Sequence, residues 1–64
     1  MPIITVHMYP GRTAAQKDAV VRGITDVMVR EANATPESVE IMLMEVPREH
    51  WGIAGNLQGA PASG

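Results

Sequence analysis

The sequence predicts an α+β fold, a βαβ unit with a parallel two-stranded sheet followed by a short C-terminal hairpin. Three stretches carry that reading. Residues 3–9 alternate, with Ile4, Val6 and Met8 on one side and Ile3, Thr5, His7 and Tyr9 on the other. Residues 39–46 alternate again, Val39, Ile41 and Leu43 against Glu40, Met42 and Met44. Between them Val20, Ile24, Val27 and Met28 recur at a spacing of three to four. Period two among β-branched residues is the mark of a strand, and the longer period that of an amphipathic helix. A strand, a long helix and a second strand make the strands parallel and the crossover right-handed.

Each element has its own start and stop. Pro10-Gly11 ends the first strand, because proline lacks a ladder donor and glycine tolerates the turn. Thr13-Ala14-Ala15-Gln16 is a capping box, with Thr13 as N-cap and Gln16 at the third helical position. The helix is expected from about 14 to 32, with Asn33 as its stop. Asp18, Arg22, Asp26 and Arg30 form a ladder of alternating charge at i,i+4, which reads as a solvated face. Val21 and Val29 widen the apolar arc beyond what one small sheet covers, which points to a subunit contact. Gly23 sits mid-helix, where a close approach by another backbone would account for it. Thr35-Pro36-Glu37-Ser38 predicts a single helical turn capped by Thr35, with Pro36 at its first position. Pro47 closes the second strand. His50 to Leu57 interleaves Trp51, Ile53 and Leu57 with glycines, as a short hairpin or an arm packed on a neighbour. From about Gln58 to Gly64 the sequence has no periodicity and reads as a mobile tail.

The 64 residues make one domain, 1–64, with no internal repeat and no linker. The chain has a single Trp, no Phe and no Cys. It therefore has neither a large aromatic core nor a disulfide or thiolate metal site to staple it. Small domains of that kind tend to oligomerise. A two-stranded parallel sheet also falls short of independent stability. The formal net charge is −2 with no basic run, which argues against nucleic acid as a partner. No charged-then-apolar leader and no apolar run of about 18 residues is present, so the expectation is a cytoplasmic protein with no membrane span.

The chemistry is expected at the N-terminus. If Met1 is removed, Pro2 carries a free secondary amine, which takes up a proton at neutral pH as an amide does not. Met1-Pro2-Ile3-Ile4, Gly11-Arg12 followed by Gln16-Lys17, Ser38-Val39, and Glu45 through Gly52-Ile53-Ala54-Gly55 together resemble the 4-oxalocrotonate tautomerase family over nearly the whole chain, to about Leu57. The resemblance implies a βαβ subunit whose sheet joins that of a second chain, and a homohexamer built as a trimer of dimers. It implies Pro2 as catalytic base and Arg12 as the residue that binds a substrate carboxylate. It puts Trp51 where the family has an aromatic pocket residue, and Ile3, Met8, Tyr9, Ser38 and Ile53 in or near the pocket. It calls for no cofactor and no metal.

One position departs from the family. Where its best-known members have a second arginine, this chain has Glu40. The far end of a substrate then meets an anion, or Glu40 points elsewhere. Tyr9 stands where the family often has a small aliphatic residue.

Moving a proton between the oxygen and carbon of an enol needs a base that is unprotonated near neutral pH. An α-amino group titrates at about 7.7–8.0, and a prolyl amine is comparable. An apolar pocket and a nearby guanidinium both favour its neutral form. At an assumed ~6 Å and an effective dielectric of about 20, the guanidinium contributes roughly 2.8 kcal/mol. The bland readings stand beside these. Arg12 alone reads as a surface-loop arginine, and Pro2 is inert if Met1 stays. Trp51 serves equally as a subunit anchor or a pocket wall. Met28, Met42 and Met44 read as core, and His7 and His50 share no metal-ligand spacing. Three functions are compatible with the chain. The first is a tautomerase acting on the enol or dienol of a small carboxylate. The second is a dehalogenase or hydratase in which a protonated Pro2 assists addition of water, with Glu40 or Glu45 activating the water. The third is a non-catalytic oligomeric module.

Overall fold

The computed structural model of the chain describes residues 2–59. β1 (Ile3–Met8) is followed by α1 (Ala14–Ala32), a one-turn 3-10 helix (Pro36–Ser38), β2 (Glu40–Glu45), a second 3-10 turn (Arg48–His50), and the two short strands β3 (Gly52–Ile53) and β4 (Asn56–Leu57). β1 and β2 pair in parallel, with Ile3 opposite Glu40 and Met8 opposite Glu45. β3 and β4 form a separate antiparallel pair, so the C-terminal segment is the hairpin rather than the arm.

The helix starts and stops where its caps dictate. Gln16 N–H donates to the Thr13 hydroxyl at 3.1 Å, and Thr13 N–H donates to Gln16 Oε1 at 2.8 Å. Each satisfies a donor that the first turn leaves without a helical partner. At the other end Asn33 takes a left-handed conformation, φ 58°. Ala34 N–H turns back to the Met28 carbonyl at 3.2 Å, an asparagine version of the usual glycine stop. The turn at 36–38 differs from expectation in its cap. Thr35 makes no side-chain cap bond. Its carbonyl instead accepts from Ser38 N–H at 3.0 Å and from the Ser38 hydroxyl at 2.8 Å.

Both strands are a little shorter than the alternation predicts, for local reasons. Val39 N–H bonds back to Pro36 O at 3.3 Å and so belongs to the turn. Tyr9 lies just past the end of β1, where its carbonyl accepts from Arg12. Ala54 and Gly55, between β3 and β4, have φ of 52° and 83°. Two positive φ values in a two-residue loop are the geometry that matches the twist of a tight hairpin. Gln58 and Gly59, placed by the sequence at the start of a tail, are tied back. Gln58 N–H donates to Trp51 O and Gly59 N–H to Arg48 O, each at 2.9 Å. The rest of the expected tail, residues 60–64, lies outside the described residues.

Ile4, Val6 and Met8 of β1 and Ile41 and Leu43 of β2 are half-buried on the sheet face covered by α1, along with Val20, Val21, Ile24, Met28 and Val29 of the helix. The opposite sheet face carries Ile3, Thr5, His7, Glu40, Met42 and Met44, all exposed. No described side chain is fully buried, and Ile3 keeps 60% of its surface in solvent. Among the described residues, nothing beyond the helix's own backbone lies within 4 Å of where a Cβ on Gly23 would be. The close backbone approach expected at that glycine is therefore not made by the described residues. The Asp18–Arg22 and Asp26–Arg30 pairs form on the exposed side of α1. No helix among the described residues is long and apolar enough to cross a membrane.

A chain with Ile3, Met42 and Met44 in water on one sheet face is expected to sediment as an oligomer at micromolar concentration, and a monodisperse folded monomer would contradict this reading. A Met42→Asp/Met44→Asp double variant, which charges that face, is expected to shift the distribution toward smaller species.

Candidate active site

The two ends of the β1–β2 ladder hold different chemistry. At the start, Glu40 N–H donates to the Pro2 carbonyl at 3.0 Å, extending the ladder one residue before β1. That bond fixes Pro2 at the sheet end, half-buried, with Ile3 opposite Glu40. Ser38 stands two residues before Glu40, half-buried, its hydroxyl engaged by Thr35. Pro2, Ile3, Ser38 and Glu40 therefore gather at one end.

The far end gathers the aromatic and cationic groups. Val46 N–H donates to Met8 O at 2.9 Å, extending the ladder past β1. The Tyr9 and Trp51 rings meet with centroids 4.7 Å apart, tilted at 59°. Arg12 Nη1 donates to the Tyr9 carbonyl at 3.3 Å. The Arg48 guanidinium carbon lies 3.9 Å from the centroid of the Tyr9 ring, within the range of a cation–π contact. Met8 is half-buried beside this group, and Ile53, in the hairpin, is exposed.

Pro2 and Arg12 are thus not neighbours within one chain. The six strand residues between them span ~20 Å at about 3.3 Å per residue. A site using both draws them from different chains. The larger concavity along α1, about 930 Å³ and lined in part by Ala15, Ala19, Gly23 and Pro36, includes neither Pro2 nor Arg12 in its lining.

Two further placements bear on the chemistry. Glu45, considered above as a water-activating carboxylate, is engaged by Lys17 at 2.9 Å, tying β2 to the first turn of α1. His7 lies on the exposed sheet face and His50 in the second 3-10 turn. Arg48 is the residue that sequence reasoning missed. Its signal was Pro47 followed by a single turn, because residues three apart in a 3-10 helix eclipse. Arg48 and Trp51 therefore come to the same side, facing Tyr9.

Residues 2–60 match the family model described as tautomerase enzyme. The chain belongs to the tautomerase family. It is 42% identical over 55 residues to the 2-hydroxymuconate tautomerase of Pseudomonas putida, covering 86% of this chain and 87% of that protein. Among solved structures it resembles a homologue of 4-oxalocrotonate tautomerase with TM-score 0.86 at 30% identity, covering 89% of this chain and 93% of the other. It also resembles the 4-oxalocrotonate tautomerase isozymes of Methylibium petroleiphilum, with TM-score 0.79 at 37% identity, covering 84% of this chain and 87% of the other. Tautomerases are isomerases, and keto–enol isomerisation is the activity this membership carries to the chain.

Trp51 is the sole tryptophan, so its emission reports the aromatic cluster directly. Tyr9→Leu removes its ring partner and is expected to red-shift that emission while leaving the helical circular dichroism intact. An unchanged spectrum would mean that the Tyr9–Trp51 contact does not shape the environment of the indole in solution.

Proposed function

We propose that the chain, after loss of Met1, interconverts the enol or dienol and keto forms of a small carboxylate, with the Pro2 amine as general base and Arg12 of a second chain as carboxylate anchor. The observation that carries this reading is the ladder bond from Glu40 to the Pro2 carbonyl. It holds Pro2 at a sheet end with its nitrogen outside the ladder, which supports a role for that nitrogen as a base. In the forward direction the neutral amine takes the enol hydroxyl proton, electrons shift from the C=C bond to form C=O, and the ammonium delivers a proton to the carbon that gains the new C–H. The proton count is unchanged, so no co-reactant is needed.

The ~20 Å length of β1 supports a site shared between chains. A hexamer fits this requirement, and the exposed apolar sheet face and unpaired strand edges support assembly. A guanidinium brought near Pro2 by a neighbouring chain favours the neutral amine, as a base requires. Ile3 and Ser38 would line the Pro2 end, and Met8, Tyr9, Trp51 and Ile53 the Arg12 end. The proposal includes a cytoplasmic setting, with which a cysteine-free chain is compatible.

Arg12→Ala is expected to lower kcat/KM by roughly 2–4 kcal/mol, the loss of a charge-assisted contact, in a ketonisation assay with phenylenolpyruvate. A change below about twofold, roughly 0.4 kcal/mol, removes Arg12 from the site. Pro2→Ala leaves a primary amine and is expected to retain a small residual rate. A chain that keeps Met1, verified by intact mass, is expected to have no base catalysis, because its Pro2 nitrogen is an amide. Full activity from that chain would refute the role given to Pro2.

A further inference from the structure

The chain has five basic side chains besides its histidines: Arg12, Lys17, Arg22, Arg30 and Arg48. Three of them are paired with carboxylates: Lys17 with Glu45, Arg22 with Asp18 and Arg30 with Asp26. Among the described residues Arg12 and Arg48 have no such pair, and both rest on Tyr9. Arg12 binds its carbonyl, and Arg48 lies over its ring. Both side chains are exposed. Two like charges gathered on one residue, neither with an ionic partner among the described residues, attract an anion that reaches both.

The position of Arg48 is built rather than incidental. Its carbonyl accepts both Trp51 N–H, at 3.1 Å, and Gly59 N–H, at 2.9 Å. A Cβ on Gly59 would come within 2.7 Å of the Arg48 Cβ and of the Glu49 backbone nitrogen. Only a residue without a side chain lets the backbone after the hairpin close over this turn. The closure holds Arg48 and Trp51 against Tyr9 together.

We propose that Arg48 is a second anion-binding residue beside Arg12, and that the pair selects substrates with two carboxylates over substrates with one. The inference rests on the reading of Arg12 as a carboxylate anchor and extends it. A local charge of two cations is matched by a dianion. The arrangement also bears on Glu40. A dicarboxylate needs no cation at position 40 if Arg48 supplies it from the aromatic end. Arg48 is suited to the task because a guanidinium offers a planar fork to a carboxylate while its face stays stacked on a ring.

The test compares two unreactive six-carbon dienes, muconate with two carboxylates and sorbate with one, by calorimetric titration of the assembled protein. The unsubstituted protein is expected to bind muconate about tenfold or more tightly than sorbate, as one extra charge-assisted contact gives. Arg48→Ala is expected to weaken muconate by roughly 10- to 100-fold and sorbate by less than about threefold. Arg48→Lys keeps the charge and should retain part of the preference. Arg48→Gln keeps the Cβ and Cγ methylenes and a planar polar end without the charge and should lose the preference as Ala does, which guards against a purely packing effect of the smaller side chain. Gly59→Ala, which displaces the turn, should also reduce the preference. Equal loss for both ligands in Arg48→Ala and Arg48→Gln would overturn the proposal and reduce Arg48 to a support for Tyr9 and Trp51. No loss for either ligand would overturn it as well. Turnover is measured separately. A protein that discriminates muconate from sorbate through Arg48 but ketonises no enol would refute the catalytic reading and leave the two-cation site standing.

Discussion

The parallel ladder between β1 and β2 continues one residue past each end of β1, through Glu40 N–H to Pro2 O and Val46 N–H to Met8 O. Those two bonds set the ends of the pairing, with Pro2 at one and Met8, next to Tyr9, at the other. The first fixes the proline that begins the strand. The second carries the pairing up to Tyr9, the residue on which Arg12 and Arg48 both rest. Because the six residues of β1 are extended and paired along their length, the two sets of groups lie at opposite ends of the strand. Chemistry that needs both a base and an anion anchor becomes a property of an assembly.

The packing leads to the same conclusion by another route. One helix covers one face of a two-stranded sheet, and even the covered residues remain half-buried. Ile3, Met42 and Met44 on the opposite face, and Ile53 and Leu57 in the hairpin, stay largely in solvent. At about 25 cal/mol per Å² of apolar surface, such exposure leaves a substantial driving force for association unused in the single chain. Among the described residues the outer edges of β1 and β2 pair with no further strand, and a second sheet can satisfy them. The proposed shared site and the exposed apolar surface both favour association of chains.

Charge is distributed with the same economy. The pairs on the outer side of α1 are exposed and contribute little to stability. The Lys17–Glu45 pair is more shielded and joins the start of the helix to the end of β2. That leaves the two arginines at Tyr9 as the cations whose partners the described chain does not supply. In a protein of formal net charge −2, a local positive patch made of the two unpaired arginines is a specific feature rather than a consequence of composition.

The sequence by itself determined β1, α1, the turn at 36–38 and β2 to within a residue or so. The reason is that each boundary is a local event: Thr13 and Gln16 capping the helix, Asn33 accepting a left-handed conformation, Pro36 opening a turn, Pro10 and Pro47 stopping strands. The alternation also determined which face of each strand is covered, since a slip of one residue would expose Ile4, Val6, Ile41 and Leu43 together. The resemblance to tautomerases was legible in Pro2, Gly11-Arg12 and the Trp51 to Gly55 segment. What only the tertiary structure decided is which of these residues meet. The resemblance assigned Pro2 and Arg12 to one site, whereas the extended β1 between them sets the two far apart within a single chain. The Arg48–Tyr9–Trp51 cluster was hidden for the opposite reason. Tyr9 and Arg48 are far apart in the chain, and they meet only because parallel pairing brings the ends of β1 and β2 side by side and a single 3-10 turn then folds the chain back over them.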